Sequence, residues 1–273
     1  MDPALRDFVE LIQMPEAGID LGLAALHVAQ IERPDLIAAP HLGRLDDLAA
    51  RSGAAGLADP LKALHRLREF LFHEEGFRGN AAEYYDPLNS CLDAVLDRRL
   101  GIPITLSIVV MEVGRRVNLQ IDGVGLPGHF VVTAAMPDGR VLLDPFDGGA
   151  VVTHERATEL VGRALGRPVT LTDAHFAAVG KRQILARMLA NLRGIYLECG
   201  EWGKALAVVE RLIRLDGDPA NVRDRGTLLI KLGELHRGAA DWGRYLDRAP
   251  ESGDAGKVRQ QLRRVHEHLA SLN

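Results

Sequence analysis

The chain is poor in cysteine, has no long apolar run and carries little net charge, and each shortage excludes a class of protein. Cys91 and Cys199 stand 108 positions apart, which gives neither a disulfide framework nor a CxxC metal pair. Thiols that stay free fit a reducing compartment, so the expected location is the cytoplasm. The longest apolar stretch, Ile102 to Val113, is too short to span a membrane. Met1-Asp2-Pro3-Ala4-Leu5-Arg6-Asp7 lacks a basic segment leading into an apolar one, and no secretory signal is expected. No Walker loop, dinucleotide fingerprint or zinc spacing is present, so neither a cofactor nor a metal is expected. The net charge of −4 hides an asymmetry: residues 1–180 carry 16 Lys/Arg against 25 Asp/Glu, and residues 181–273 carry 17 against 12. A basic tail of this kind can dock on an acidic surface, but solvated arginines on the outer faces of helices account for it as well. A nucleic-acid role is not expected.

Helical periodicity opens the chain. Asp2 is placed to cap a first helix with Pro3 at its first position, and Phe8, Leu11 and Ile12 fall on one face. Further helices are expected over 18–32, 42–51 and 60–72, the last with Leu61, Leu64, Leu67 and Leu71 along one side. His65 and His73 have no second ligand at i+4 and read as surface or capping residues. A short helix is expected to start near Ser90, capped by its hydroxyl, and to end with Gly101 just past its terminus. Pro103 then opens a helix apolar on most sides, which must be buried. After Asn118 the pattern turns to β: Leu119-Gln120-Ile121-Asp122, Phe130-Val131-Val132, Val141-Leu142-Leu143 and Ala150-Val151-Val152, with Pro137-Asp138-Gly139 as a hairpin turn. Thr153 is placed to cap a helix through Leu165. The expected fold class is α+β: a core with a small antiparallel sheet, flanked by an N-terminal helical unit and a helical-repeat tail.

The tail repeats itself. Gly200 and Gly233 lie 33 residues apart and Ala205 and Ala239 lie 34 apart, the period of tetratricopeptide helix pairs, with a last helix over 256–269 as a cap. A plain helical bundle would give much the same pattern. The expected divisions are 1–80 for the N-terminal helices, 81–180 for the core and 181–273 for the tail, which is expected to hold a protein or peptide partner.

Three reactive side chains fall within the core in a suggestive order. Cys91 stands at a helix start, where the dipole and free N–H groups can lower a thiol pKa and form an oxyanion hole. It also reads as a small buried apolar residue, which is what most free cysteines are. His129, after Pro127-Gly128, opens a strand and can act as base and then acid. Asp144 ends the strand after the hairpin turn, where it can orient that imidazole or cap its own turn before Pro145. Arg98-Arg99 and Arg115-Arg116 could bind an anion, or pair with the acidic front of the chain.

Five segments, Asn89-Ser90-Cys91-Leu92, Val95-Leu96-Asp97-Arg98-Arg99, Gly101-Ile102-Pro103-Ile104, Pro127-Gly128-His129-Phe130 and Asp144-Pro145-Phe146, resemble the transglutaminase-like superfamily. With Arg223-Asp224-Arg225-Gly226 and Tyr245-Leu246 in the tail, they resemble its bacterial SirB-type branch, a transglutaminase-like core joined to a tetratricopeptide-like tail, over residues 40–270. The resemblance implies a papain-like α+β fold with a cysteine on the central helix and histidine and aspartate on adjacent strands. It implies Cys91 as nucleophile, His129 as base and Asp144 as orienter, in a cysteine amidase, protease or acyltransferase working through a thioester. It also allows a non-catalytic adaptor built on the same fold.

Overall fold

The computed structural model describes residues 3–271; the cap expected at Asp2 lies outside the described residues. Its centre is the apolar helix. Pro3–Ile12 (α1), Leu21–Ala29 (α2), Ala38–Ser52 (α3) and Pro60–Arg68 (α4) precede it, the last widening into a π-helical turn over Glu69–Glu74. Arg78–Gly79 (β1), Leu92–Arg98 (α5) and Leu100–Gly101 (β2) follow, and then Pro103–Arg116 (α6). From Pro103 to Gly114 only Met111 of α6 is less than buried. A helix without a polar face must be covered all round, and α2, α3 and α5 supply part of the cover while strands supply the rest. The one charged residue of α6 in that stretch, Glu112, is buried and accepts from Arg116 at 2.6 Å and Arg115 at 2.9 Å.

The sheet is an antiparallel meander of Ile121–Leu126 (β3), His129–Met136 (β4), Gly139–Asp144 (β5) and Ala150–Val151 (β6), in that order. Leu126 faces His129 across the first turn, and Met136 faces Gly139 across the second, so Pro137-Asp138 makes a two-residue hairpin. The other face of β3 and β4, through Val124, Leu126 and Val131, packs with Val152, Ala157 and Val161 around His154–Leu165 (α7), whose N-cap Thr153 accepts from the Arg156 amide at 3.2 Å.

Several boundaries differ from the sequence expectation. The strand expected at Leu119 starts at Ile121: Asn118 is left-handed (φ 62°) and the Leu119 amide still donates to Gly114, closing α6. Arg99, not Gly101, is the left-handed residue after α5; its guanidinium is held by Glu75 at 2.8 Å and over the Phe77 ring, while Gly101 pairs with Gly79 in a parallel β1–β2 bridge. Ser90 does not cap α5. Cys91 occupies the cap position without a capping hydrogen bond from its side chain, and the buried Ser90 hydroxyl has no hydrogen-bond partner among the described residues. Leu61 is exposed while Leu64, Leu67 and Leu71 are buried, because the first turn of α4 projects past the core.

By contacts the chain forms two units, Glu10–Met188 and Met1–Val9 with Leu189–Asn273. The helices of 10–80 pack within the same unit as the sheet, since α6 needs them. The smaller unit contains the end of Lys181–Cys199 (α8) and then Trp202–Asp216 (α9), Pro219–Lys231 (α10), Leu235–Arg248 (α11) and Ala255–Ser271 (α12), each packed on the next from α9 onward. Gly200 and Gly233, one repeat apart, are both left-handed. α10 and α11 approach so closely that a Cβ on Gly226 would lie 2.7 Å from Trp242 and one on Gly238 would lie 2.7 Å from the Gly226 carbonyl. Asp241, buried, receives Arg225 at 2.6 and 2.8 Å. Among the described residues no helix is long and apolar enough to cross a membrane.

Two outcomes follow from these contacts. Gly149, after β5, is left-handed (φ 71°), and a Cβ there would sit 2.4 Å from the Phe72 ring and 2.8 Å from Arg68. Gly149→Ala is expected to cost about 2–4 kcal/mol, read from the urea midpoint. In the tail, hydrogen bonds from the Tyr245 hydroxyl and Arg223 hold the Asp254 carboxyl down at about 2. A depressed carboxyl stabilises the fold above its unfolded pKa of about 3.9 and loses that contribution as pH falls through about 2. Thermal melts of Asp254→Asn between pH 5 and pH 2 (roughly the span of that titration) are therefore expected to show a smaller loss on acidification than the wild type.

Candidate active site

Chain direction and register bring His129 and Asp144 together. His129 begins β4, and Asp144 ends β5 one position beyond the last β4–β5 pair, Val132 with Leu143. The His129 Nε2 lies 2.7 Å from Asp144 Oδ2, and the aspartate is almost wholly enclosed while 11% of the histidine side chain is exposed. The other oxygen, Oδ1, accepts from the amides of Phe146 at 2.9 Å and Asp147 at 3.4 Å. Pro145 fixes the turn that aims those amides back at the carboxylate. Asp144 therefore caps its own turn with one oxygen and holds the imidazole with the other. With Nε2–H donating to the carboxylate, Nδ1 carries the lone pair, and it has no hydrogen-bond partner among the described residues.

An aromatic wall stands beside the pair. Phe146 meets His129 edge to face at 6.4 Å and Tyr84 at 5.9 Å, and Tyr85 meets Tyr84 at 5.4 Å. Gly79 admits the Phe146 ring, since a Cβ there would lie 2.5 Å from it. The segment carrying Tyr84 is braced by two buried asparagines: Asn80 Nδ2 donates to Asn89 Oδ1 at 3.1 Å, and Asn89 Nδ2 donates to the carbonyls of Glu83 at 2.6 Å and Tyr84 at 3.3 Å. From α8, Arg187 donates to the His129 carbonyl at 2.6 Å and lies over the Phe130 ring.

Cys91 is placed differently. It is fully buried among Ala29, Ala94, Leu36 and Leu88, and its Sγ–H donates to the Pro87 carbonyl at 3.5 Å. Among the described residues it makes no hydrogen bond to His129. Burial pushes its thiol far up from the ordinary range, and the negative charges of Asp93, Glu32 and Asp86 push it further than Arg33 pulls it back. The helix that Cys91 caps is short, and its first turn carries buried Asp93. The arginine pairs are spoken for: Arg98 by Asp86 at 2.7 Å, Arg99 by Glu75, Arg115 by Glu112, and Arg116 by Asp46 at 2.6 Å and Glu112. No cluster of three or more metal-ligating side chains occurs among the described residues.

The family model described as transglutaminase-like superfamily matches residues 40–190, and a tetratricopeptide repeat model matches 192–263. The chain belongs to the transglutaminase-like superfamily. It is 35% identical to a UPF0162 protein of Xylella fastidiosa (strain 9a5c) over 265 residues, 92% of each chain. A UPF0162 protein of Pseudomonas aeruginosa is 33% identical, over 79% of this chain and 78% of its own. UPF0162 protein YchA of Escherichia coli (strain K12) is 24% identical, over 76% and 77%. No solved structure matches the chain. The match joins the transglutaminase-like unit to the repeat tail, the two-part architecture that the motifs and the 33-residue period implied.

Local sequence did not single out Arg187 or the two bracing asparagines as a group. Arg187 interrupts an apolar stripe of Leu185, Met188, Leu189 and Leu192, and that interruption was the available signal. Asp144→Ala is expected to cost about 2–4 kcal/mol in urea unfolding, because it strands a buried imidazole N–H and two amides. The exposed hairpin change Asp138→Ala should stay within about 0.5 kcal/mol of the wild type.

Proposed function

We propose that this protein is a non-catalytic protein-interaction adaptor, in which the transglutaminase-like unit serves as a scaffold and the helical repeats hold a protein or peptide partner in the cytoplasm. The observation that carries this reading is the enclosure of Cys91. A thiol nucleophile works as the thiolate, and here burial and three neighbouring carboxylates oppose the thiolate while the thiol's hydrogen bond goes to a carbonyl. In the tail, Leu197 and Leu232 are exposed large apolar residues. The two free cysteines, one of them exposed, suit a reducing compartment.

A second reading rests on one specific observation. The His129–Asp144 pair keeps the geometry of an oriented base, with its second nitrogen unbonded among the described residues. Thiol-dependent acyl transfer or amide hydrolysis through Cys91, His129 and Asp144 would use that base, after the turn at Pro87–Ser90 has moved to release the thiol.

Alkylation with iodoacetamide at pH 7 separates the two. Under the adaptor reading exposed Cys199 is modified first, and Cys91 reacts roughly a hundredfold more slowly or only after denaturation. Modification of Cys91 ahead of Cys199 would reject the adaptor reading in favour of the thiol enzyme. In a cell lacking the protein, Cys91→Ala is expected to restore function, and a Leu197→Glu/Leu232→Glu variant to fail although it folds.

A further inference from the structure

Arg187 is a partly buried cation of the larger unit that has no carboxylate partner among the described residues. It lies within α8 between fully buried Ile184, Leu185 and Met188. One Nη2–H is given to the His129 carbonyl at 2.6 Å and the guanidinium rests over Phe130 at 5.4 Å. Neither contact supplies negative charge. Among the described residues no carboxylate reaches it within ion-pair distance, whereas Arg98, Arg99, Arg115 and Arg116 all have one. Its Nε and Nη1 groups have no protein acceptor among those residues. The space beside Nη1 is kept by Gly125, where a Cβ would come within 3.3 Å. Burial lowers the pKa of Arg187, and the acidic group whose charge acts against that shift is the Tyr84 phenol. Tyr84 in turn has its own pKa raised by burial, with Arg187 pulling it back. Tyr84 is itself an exposed residue.

A desolvated guanidinium without a counter-charge is costly, and the cost is recovered when a ligand brings the anion. A guanidinium offers parallel N–H donors that match the two oxygens of a carboxylate or phosphate group. The geometry points to an oxyanion subsite formed by the Arg187 guanidinium and the Tyr84 hydroxyl, which takes the carboxylate or phosphate group of a small ligand or peptide and lays the rest of it against Phe146 and the His129–Asp144 pair. This subsite stands apart from the thiol question: a reactive or an inert Cys91 leaves it unchanged.

The test uses the full chain with inorganic phosphate and acetate as probes, at constant ionic strength with chloride as the reference salt. Two readouts are followed, the melting temperature and the Arg187 side-chain Nε–H resonance, identified by its loss in Arg187→Gln. The expected result is a saturable rise in melting temperature with at least one probe and a matching shift of that resonance. Saturation by phosphate and not acetate assigns a phosphate group; the reverse assigns a carboxylate. Arg187→Gln is expected to abolish the saturable response, and Arg187→Lys to weaken it about tenfold or more, since it keeps the charge and loses the fork. Tyr84→Phe, which keeps the ring and removes only the hydroxyl, is expected to weaken it several-fold and guards against a misfolded arginine variant. A wild type that responds to both probes no differently from chloride overturns the proposal, as does an Arg187→Gln chain that binds as the wild type does.

Discussion

The need to bury α6 on every side organises the larger unit. A helix of Ile, Leu and Val with no polar stripe cannot rest on a single sheet and face water on its far side. It draws α2, α3 and α5 to it and packs against β3, β4 and the turn after β5. Once those strands are fixed on α6, the start of β4 and the end of β5 have nowhere to go but beside each other. The site is thus a consequence of core burial before it is a matter of chemistry. The buried Glu112 shows how tightly the arrangement is held: Gly22 of α2 comes so close that a Cβ there would lie 3.2 Å from the carboxylate, and two arginines from the end of α6 itself neutralise it.

At Asp144 two readings that look like alternatives in the sequence turn out to be compatible. A turn aspartate before proline and an aspartate that orients a histidine need the same thing, a carboxylate held still. One oxygen takes the amides of the Pro145 turn and the other takes His129, so the cap is what makes the orienter rigid. The imidazole, held through Nε2, keeps Nδ1 unbonded among the described residues. Phe146 belongs to the same turn and seats against Gly79 and Tyr84, so the turn that fixes the carboxylate also builds the aromatic wall.

What was legible in the sequence was what local pattern encodes. The all-apolar run after Pro103, the Pro137-Asp138 hairpin, the Thr153 cap and the 33-residue glycine period each depend on residues near one another in the chain, and each is found where the pattern put it. What differed, or stayed open, was of another kind. Helix ends after Arg98 and Arg116 were set by left-handed Arg99 and Asn118, two non-glycine residues that composition alone would not choose. Whether Cys91 meets solvent depends on Ala29 and Leu36, more than fifty positions away (roughly the separation at which only tertiary packing decides). Arg187 likewise has meaning only beside His129 and Tyr84, and no spacing rule links them.

The electrostatics of the unit separate the thiol from the histidine. Around Cys91 stand Asp93, Glu32 and Asp86, with Arg33 given to buried Asp93 at 2.5 Å, so the field there opposes a second negative charge. Beside His129 the Asp144 carboxylate is enclosed and committed to the imidazole and two amides, and Arg187 adds positive charge with no carboxylate partner among the described residues. A thiolate and a bound anion would both be negative species, and the chain disfavours the first where it places the thiol while favouring the second at the histidine. A fold that had kept its cysteine for acyl transfer would be expected to put its unpaired cation next to the sulfur, where it would stabilise the thiolate. Here the unpaired arginine sits against the His129 backbone instead, which is where it would serve a ligand brought from outside.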